Sequence, residues 1–233
     1  MLIAKKDLQK YASKKKANIL SRFFKTGRGE YGEGDIFIGV IVPNIRKVAK
    51  KHQDLPLKET IKLLKSPIHE ERVLALLIMV LKFQKAKTEA QKKLIYKAYL
   101  ANTKHINNWN LVDLSSHEIV GNFLLNKPKK ALYDLSKSKS LWERRISIVS
   151  TYRFIKNSQF KDTLKIARIL LKDSHDLIHK AVGWMLREAG KRDLRALESF
   201  LKRYYKSMPR TMFRYSIEKF HENKRLKYLN GKI

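Results

Sequence analysis

The sequence contains no cysteine. This absence excludes disulfide bonds, thiolate zinc sites, iron–sulfur clusters and a cysteine nucleophile, and it is compatible with a reducing cytoplasm, where we expect the protein to reside. No stretch approaches the roughly eighteen uninterrupted apolar residues of a membrane span, and charges occupy the positions where a signal peptide needs its apolar region. We therefore expect no membrane association.

Acidic residues are scarce: 21 Asp and Glu stand against 52 Lys and Arg, which gives a formal net charge of +31. Such an excess predicts a polyanionic partner, and nucleic acid leads the candidates. Because the excess runs through the whole chain, the basic amphipathic pattern of residues 2–24 favours a solvated helix face over a membrane-surface helix. With 43% hydrophobic residues, the 233-residue chain can bury a substantial core, and we expect one monomeric domain over residues 1–233.

Apolar residues recur at helical spacing almost everywhere, and this pattern predicts an all-α protein. Strand-like alternation is confined to IFIGVIVP, residues 36–43, which is too short to found a sheet. A first helix is marked by Leu8, Tyr11, Ala12, Ile19, Phe23 and Phe24.

After Pro43 the signals for helix starts and ends recur at regular intervals. A shorter helix, a break and a longer helix repeat about every 35 residues. That period is typical of stacked antiparallel helical hairpins, each of which needs its neighbours to bury its apolar face. The prediction is a HEAT-like α-solenoid. The predicted pairs are 56–65 with 68–84, 88–104 with 108–125, 129–138 with 141–156, 161–172 with 175–190, and 193–206 with 209–222.

One second-helix pattern recurs in HEERVLALLIMV, WERRISIVSTY and IHKAVGWMLRE, where a cation (Arg72, Arg145 or Lys180) enters an apolar stripe. In a solenoid the second helices line the concave side. We therefore expect a concave basic groove that carries Arg145, Lys180, Arg187 and the cationic tail and that fits a duplex.

Two motif matches do not indicate a nucleotide-binding or metal-binding site. The stretch from Gly27 to Gly32 matches a dinucleotide fingerprint, but it follows a helix, and no helix or Walker lysine comes after it; a flexible loop is the better interpretation. His175 and His179 share a helical face, yet Asp176 stands where the zinc protease motif has Glu, and no third ligand is apparent. We expect a capped, solvated helix start there and no bound metal. A nucleophile elbow is also absent from the sequence.

Trp109 and Asp113 lie one helical turn apart. Trp109 stands in a polar helix start, Asn107-Asn108-Trp109-Asn110, so we expect its ring to be only partly enclosed, whereas Trp142 is expected to pack in the core. From the residues alone, Asp113 fits an ordinary ion pair with one of the many cations slightly better than a catalytic group.

Five segments resemble the AlkD-like DNA alkylation repair family and extend over nearly the whole chain. They are RFFKTGRGEYGEGDIFIGVIVPNIRKVAKK, NNWNLVDLSSHEIVG, LWERRISIVSTYRFIK, HDLIHKAVGWMLREAGKRD and MPRTMFRYSIEKF. The resemblance implies a HEAT-like solenoid that acts without a cofactor as a DNA glycosylase on cationic alkylpurines, such as N3-methyladenine and N7-methylguanine, and that does so without base flipping.

Carried over by position, Trp109 and Trp184 match the family's cleft tryptophans, Asp113 its catalytic carboxylate and Arg145 the adjacent arginine. The predicted DNA-binding residues are Arg145, Lys180, Arg187, Phe23 and Phe24. Some members carry a tyrosine in the first helix near the lesion, whereas this chain has Phe23 and Phe24. A hydroxyl contact from that position is therefore not expected.

Two other functions stay open at this point. One is a non-catalytic HEAT protein that recognises DNA structure, and the other is a HEAT scaffold that docks acidic proteins. The simultaneous presence of Trp109, Asp113, Arg145 and Trp184 argues against the first. Steeply salt-dependent duplex binding would argue against the second.

Overall fold

The protein divides into two compact helical units. A computed structural model describes residues 1–232, and the chain separates into Met1–Phe123 and a second unit that begins at Leu124. The single domain stays a prediction. None of the helices formed by residues 1–232 has both the length and the apolar character that a membrane-spanning segment requires.

The first unit is organised around one long helix, α5, which is buried almost all round and packs against α3, α4, α6 and α7. Its apolar run, VLALLIMV, has no polar face and therefore belongs at the centre of a core. The helices of this unit are α1 (Leu2–Gln9), α2 (Lys14–Phe23), α3 (Val42–Lys51), α4 (Leu57–Leu64), α5 (His69–Lys85), α6 (Glu89–Leu100) and α7 (Trp109–Ser116), with the short α8 (Asn122–Leu124) at the boundary.

The predicted first helix is wrong as a single element, because α1 and α2 are separated at residues 10–13. Ser13 begins α2: its hydroxyl accepts from the Lys16 backbone N–H at 3.4 Å, while its own N–H donates to the Ile38 carbonyl at 2.9 Å. Gly39 permits this approach, since a Cβ there would lie 2.1 Å from the Ser13 carbonyl oxygen. A contact with a distant segment thus ends the helical run.

The strand-like run 36–43 forms no strand, as predicted; it makes one isolated bridge between Ile36 and Ile68. Helix α3, which the predicted pairs omit, begins inside the run with Pro43 in its first turn, where the missing N–H costs nothing.

A carboxylate fastens this irregular segment to α5. The buried Glu70 side chain accepts from the backbone N–H groups of Ile38, Gly39 and Val40 at 2.8–3.2 Å. These bonds give a partner to three backbone N–H groups that take part in no helix or sheet.

The predicted helix 108–125 is present but interrupted. Helix α7 ends at Ser116, a π-helical turn covers His117–Gly121, and α8 comes next. A π turn accommodates one extra residue and shifts the helical phase of the residues after it.

The predicted pairs of the second unit are all present, although 141–156 divides into two helices. The helices are α9 (Lys130–Leu135), α10 (Leu141–Ser150), α11 (Tyr152–Lys156), α12 (Lys161–Ile169), α13 (Asp176–Gly190), α14 (Leu194–Tyr204), α15 (Arg210–Ser216) and α16 (Glu222–Leu229). Trp142, expected in the core, lies in the first turn of α10 and is only half-buried.

Successive second helices pack against each other within each unit: α5 contacts α7, and α13 contacts both α10 and α15. Gly183 allows α15 to lie close to α13, because a Cβ there would lie 2.5 Å from Tyr215 Cβ and 2.6 Å from the Met212 carbonyl oxygen. The all-α, solenoid-like class is confirmed. The concave basic groove stays a prediction.

Candidate functional site

In the first unit the candidate residues lie at the start of α7. Trp109 opens the helix and Asp113 follows one turn later on the same face; both are half-buried, as expected for Trp109. Burial raises the pKa of Tyr99 well above its ordinary value, and the nearby negative charge of Asp113 adds to the increase. The Tyr99 hydroxyl pairs with the Ser115 hydroxyl at 3.0 Å.

The Trp109 ring is held on three sides. Phe24 stacks on it at 5.0 Å between centroids, and Phe23 meets it edge-on at 5.9 Å. Its indole Nε1–H donates to the Tyr31 hydroxyl at 3.2 Å. These contacts fix the orientation of a ring that solvent still reaches.

The two adjacent phenylalanines have different surroundings. Phe24 is only 6% exposed and stacks on Phe37 at 5.2 Å as well as on Trp109. Phe23 is 61% exposed. Phe24 thus supports Trp109 from inside, while Phe23 offers a surface that a ligand can touch.

A buried polar network lies beneath this aromatic cluster. Asp35 pairs with His69 Nδ1 at 2.9 Å and with Arg72 Nη2 at 2.5 Å, and Asn110 donates to His69 Nε2 at 2.9 Å. Burial alone would raise the pKa of Asp35, but His69 and Arg72 outweigh it, so the pKa is lowered.

The Gly-rich stretch after α2 is a loop, as predicted, and its own side chains order it. Glu30 accepts from the Gly27 N–H at 2.9 Å, and Glu33 accepts from the Gly29 N–H at 2.8 Å. Two carboxylates therefore occupy the N–H groups that would cradle a phosphate in a dinucleotide site.

In the second unit Trp184 lies half-buried on α13, 5.8 Å from the Tyr152 ring. The ammonium group of Lys156 lies over the Tyr152 ring, 4.7 Å from its centroid. The Tyr152 ring thus has both a cation and an indole as neighbours.

The cations predicted to contact phosphate also have protein partners. Arg145 is 5% exposed and donates to the Leu177 carbonyl. Lys180 pairs with Asp176 at 2.7 Å, and Arg187 pairs with Glu218. Their contacts with DNA stay predictions.

The two histidines at the start of α13 have structural partners. His175 accepts from the Leu177 N–H at 3.1 Å, and His179 contacts the Asp173 carbonyl. This agrees with the predicted capped helix start. Across residues 1–232, no group of three or more His, Asp or Glu side chains could hold a metal ion.

The sequence alone did not point to several residues that lie around Trp109 in the first unit or around Trp184 in the second: Tyr31, Asp35, His69 and Tyr152. Tyr31 carried a signal, since it is the one aromatic residue in a Gly-rich stretch near the cluster in sequence. His69 and Tyr152 carried none, because Asp35 and Asn110, which contact His69, and Trp184, which contacts Tyr152, are far away along the chain.

Comparisons with known proteins identify the family and the fold of the chain. A family model described as DNA alkylation repair enzyme matches residues 4–220. The chain also resembles a solved structure described as a predicted DNA alkylation repair enzyme from Enterococcus faecalis, with a TM-score of 0.69 and 16% identity over 91% of this chain and 97% of that one. This likeness shows that the two chains share a fold. A search of curated proteins gave no match.

Proposed function

Because the chain belongs to the DNA alkylation repair enzyme family, we propose that it is a DNA glycosylase that hydrolyses the N-glycosidic bond of cationic N3- and N7-alkylated purines in duplex DNA. One observation carries the proposal: a half-buried tryptophan ring and a carboxylate lie one turn apart at the start of α7. A family of DNA alkylation repair enzymes supplies the substrate class, and the Trp109–Asp113 pair suits the chemistry.

The chemistry requires only one carboxylate. Alkylation at N3 or N7 makes the purine cationic, so the base leaves with the electrons of the glycosidic bond as a neutral molecule and needs no general acid. Positive charge then develops on the deoxyribose, where the Asp113 carboxylate stabilises it. Water adds to C1′, and its proton passes to Asp113 and then to solvent.

The aromatic cluster suits a cationic substrate. A π face attracts a cation by about 0.5 to 2 kcal/mol, with the upper value in desolvated sites. In this proposal Trp109 contacts the sugar or lesion, Phe23 touches the DNA, and Phe24 supports Trp109 from behind. Trp184 offers a second indole with the same chemistry.

Catalysis without base flipping is supported by the nature of the cavity near these rings. A cavity of about 160 Å³ lies beneath Phe23 and Phe24, and apolar side chains such as Phe37 and Val73 form most of its wall. Trp109 and Asp113 are outside its lining. A flipped base is read by hydrogen bonds to its edge. The polar lining residues His69, Glu70 and Asn110 already bond to protein partners, and the rest of the wall is apolar.

Backbone phosphates are the proposed partners of the cations. Lys180 and Arg187 on α13 are half-buried and would exchange a carboxylate partner for a phosphate. Arg145 would hold a phosphate near the start of α13, where it already donates to Leu177.

The decisive experiment measures release of 7-methylguanine from methylated duplex DNA under single-turnover conditions. We expect release by the wild type and a loss of about 100-fold to 1,000-fold in Asp113→Asn, because one preorganised electrostatic contact is worth that much. Duplex affinity should stay nearly unchanged. The matched control is Asp134→Asn, which removes an exposed carboxylate paired with Lys130 and should keep the wild-type rate.

Each other result identifies another function. Duplex binding without release would indicate a protein that recognises DNA structure, and absence of salt-dependent duplex binding would indicate a scaffold for acidic proteins. A wild-type rate in Asp113→Asn would refute the proposed role of that carboxylate.

A further inference from the structure

The loop between α2 and α3 contacts the start of α7 at two points. Tyr31 accepts a hydrogen bond from the Trp109 indole at 3.2 Å. Four residues later, the Asp35 carboxylate lies 3.5 Å from the amide nitrogens of Asn107 and Asn108, which directly precede α7. One loop thus contacts both the ring of Trp109 and the residues that lead into its helix.

This loop has a defined conformation around Tyr31. The Gly32 N–H donates to the Lys25 carbonyl at 3.0 Å, which closes the loop just after Tyr31. Gly32 has no room for a side chain, because a Cβ would lie 2.4 Å from the Phe24 carbonyl oxygen and 2.9 Å from that of Lys25. The position of Tyr31 is therefore set by the same short segment that supplies Phe24.

The indole offers a single N–H donor, so its hydrogen bond fixes one edge of the ring. Phe24 covers one face of Trp109 at an interplanar angle of 28°, and Phe23 meets it edge-on. Packing against two phenylalanine rings resists translation of the indole, but it does not by itself distinguish one ring orientation from the flipped one. A hydroxyl at the N–H edge does.

We propose that Tyr31 is a positioning residue that selects the orientation of Trp109 and so presents the correct indole face to the cationic substrate. The loop thereby provides a hydroxyl beside Trp109, at a place where the end of α2 offers only Phe23 and Phe24. This inference rests on the proposed glycosylase function, and its experiment separates the two.

Tyr31→Phe removes the hydroxyl and keeps the ring. In a ¹⁵N–¹H spectrum the Trp109 indole resonance, identified as the one missing from Trp109→Phe, should shift, while those of Trp142 and Trp184 stay in place. Single-turnover release of 7-methylguanine should slow about threefold to tenfold, the effect of one net hydrogen bond, with duplex affinity within about twofold. Tyr11→Phe, at an exposed tyrosine of the same unit, is the control and should change neither quantity.

A second variant displaces the loop without touching Tyr31. Gly32→Ala forces the loop away from Phe24, so it should shift the same indole resonance and slow release at least as much. An unshifted Trp109 resonance or a wild-type rate in Tyr31→Phe overturns the inference. If the wild type releases no 7-methylguanine, the proposed function fails instead, and the resonance alone then decides whether Tyr31 orients Trp109.

Discussion

Trp109 and Trp184 are both half-buried, but their neighbours differ. Trp109 is packed by Phe24 and tied through its N–H to Tyr31, whereas Trp184 lies beside Tyr152, whose ring also carries Lys156. The aromatic faces are thus held by different means. Both can contact a cation as charge develops.

Replacing either tryptophan with alanine should slow release more than it weakens binding. The contact strengthens as positive charge reaches the sugar, so it contributes mainly in the transition state. Each loss should be about twofold to thirtyfold in single-turnover rate, from about 0.5 to 2 kcal/mol per cation–π contact. Trp142→Ala is the matched control, because Trp142 is half-buried but has no proposed contact with substrate.

The same contacts set the expected substrate range. N3- and N7-alkylpurines, including bulky ones, should be released, while uracil and 1,N⁶-ethenoadenine should stay in the DNA because they bring no charge. Efficient removal of uracil would contradict the mechanism. So would wild-type rates in both tryptophan variants at normal stability.

At the scale of elements, the Asp35 network joins the Gly-rich loop to α5. His69 and Arg72 outweigh the effect of burial and lower the pKa of Asp35, so the folded state favours the carboxylate. Because the pKa of Asp35 is lower in the folded state than in the unfolded state, its ionisation stabilises the fold at pH values above the unfolded pKa of about 3.9. This contribution is lost as the pH falls through the folded pKa.

Asp35→Asn should reduce the free energy of unfolding by about 3 to 5 kcal/mol at neutral pH, because it leaves Arg72 buried without its counter-charge. The difference from wild type should shrink as pH falls below about 4. Urea unfolding across this pH range measures it, with Asp54→Asn at an exposed carboxylate of the same unit as control. A difference that does not vary with pH would show that charge is not what Asp35 contributes.

At the scale of the whole molecule, the net charge of +31 predicts that binding to duplex DNA depends steeply on salt. In the proposed complex Arg187 exchanges its ion pair with Glu218 for a phosphate contact. Glu218→Gln should therefore tighten duplex binding, and Arg187→Ala should lower the log–log salt slope by about one. Glu222→Gln, at an exposed carboxylate of α16, controls for the change in net charge.

Titrations of a short duplex at several salt concentrations measure both effects. If Glu218→Gln behaves like Glu222→Gln and Arg187→Ala leaves the slope unchanged, Arg187 serves only the ion pair with Glu218. The phosphate contacts would then belong to other cations.

Local periodicity was sufficient to predict the helix pairs, since an apolar stripe and its flanking caps lie within one segment of sequence. Thr88 illustrates this: its hydroxyl accepts from the Gln91 N–H, the Gln91 side chain accepts from the Thr88 N–H, and α6 begins there. The partial exposure of Trp109 was predicted on the same basis, from the polar residues around it.

Contacts between distant residues could not be predicted in this way. The break between α1 and α2 depends on Ile38 and Gly39, and the orientation of Trp109 depends on Tyr31, far earlier in the chain. Periodicity does not report which distant side chain will accept a hydrogen bond. The helix pairs could therefore be placed, while the neighbours of the candidate residues could not.

The attachment of Glu70 to residues 38–40 has a consequence for sequence divergence. The carboxylate binds backbone amides, which every residue except proline possesses, so the bonds place no demand on the side chains at positions 38 and 40. Position 39 is restricted by the backbone, because only glycine fits against Ser13. Position 40 is restricted only by its burial, since the Val40 side chain lies in the core. A homologue that exchanges the side chains at positions 38 and 40 for others of suitable size can therefore keep the geometry of this segment, provided that the glycine and the distant acid are inherited together.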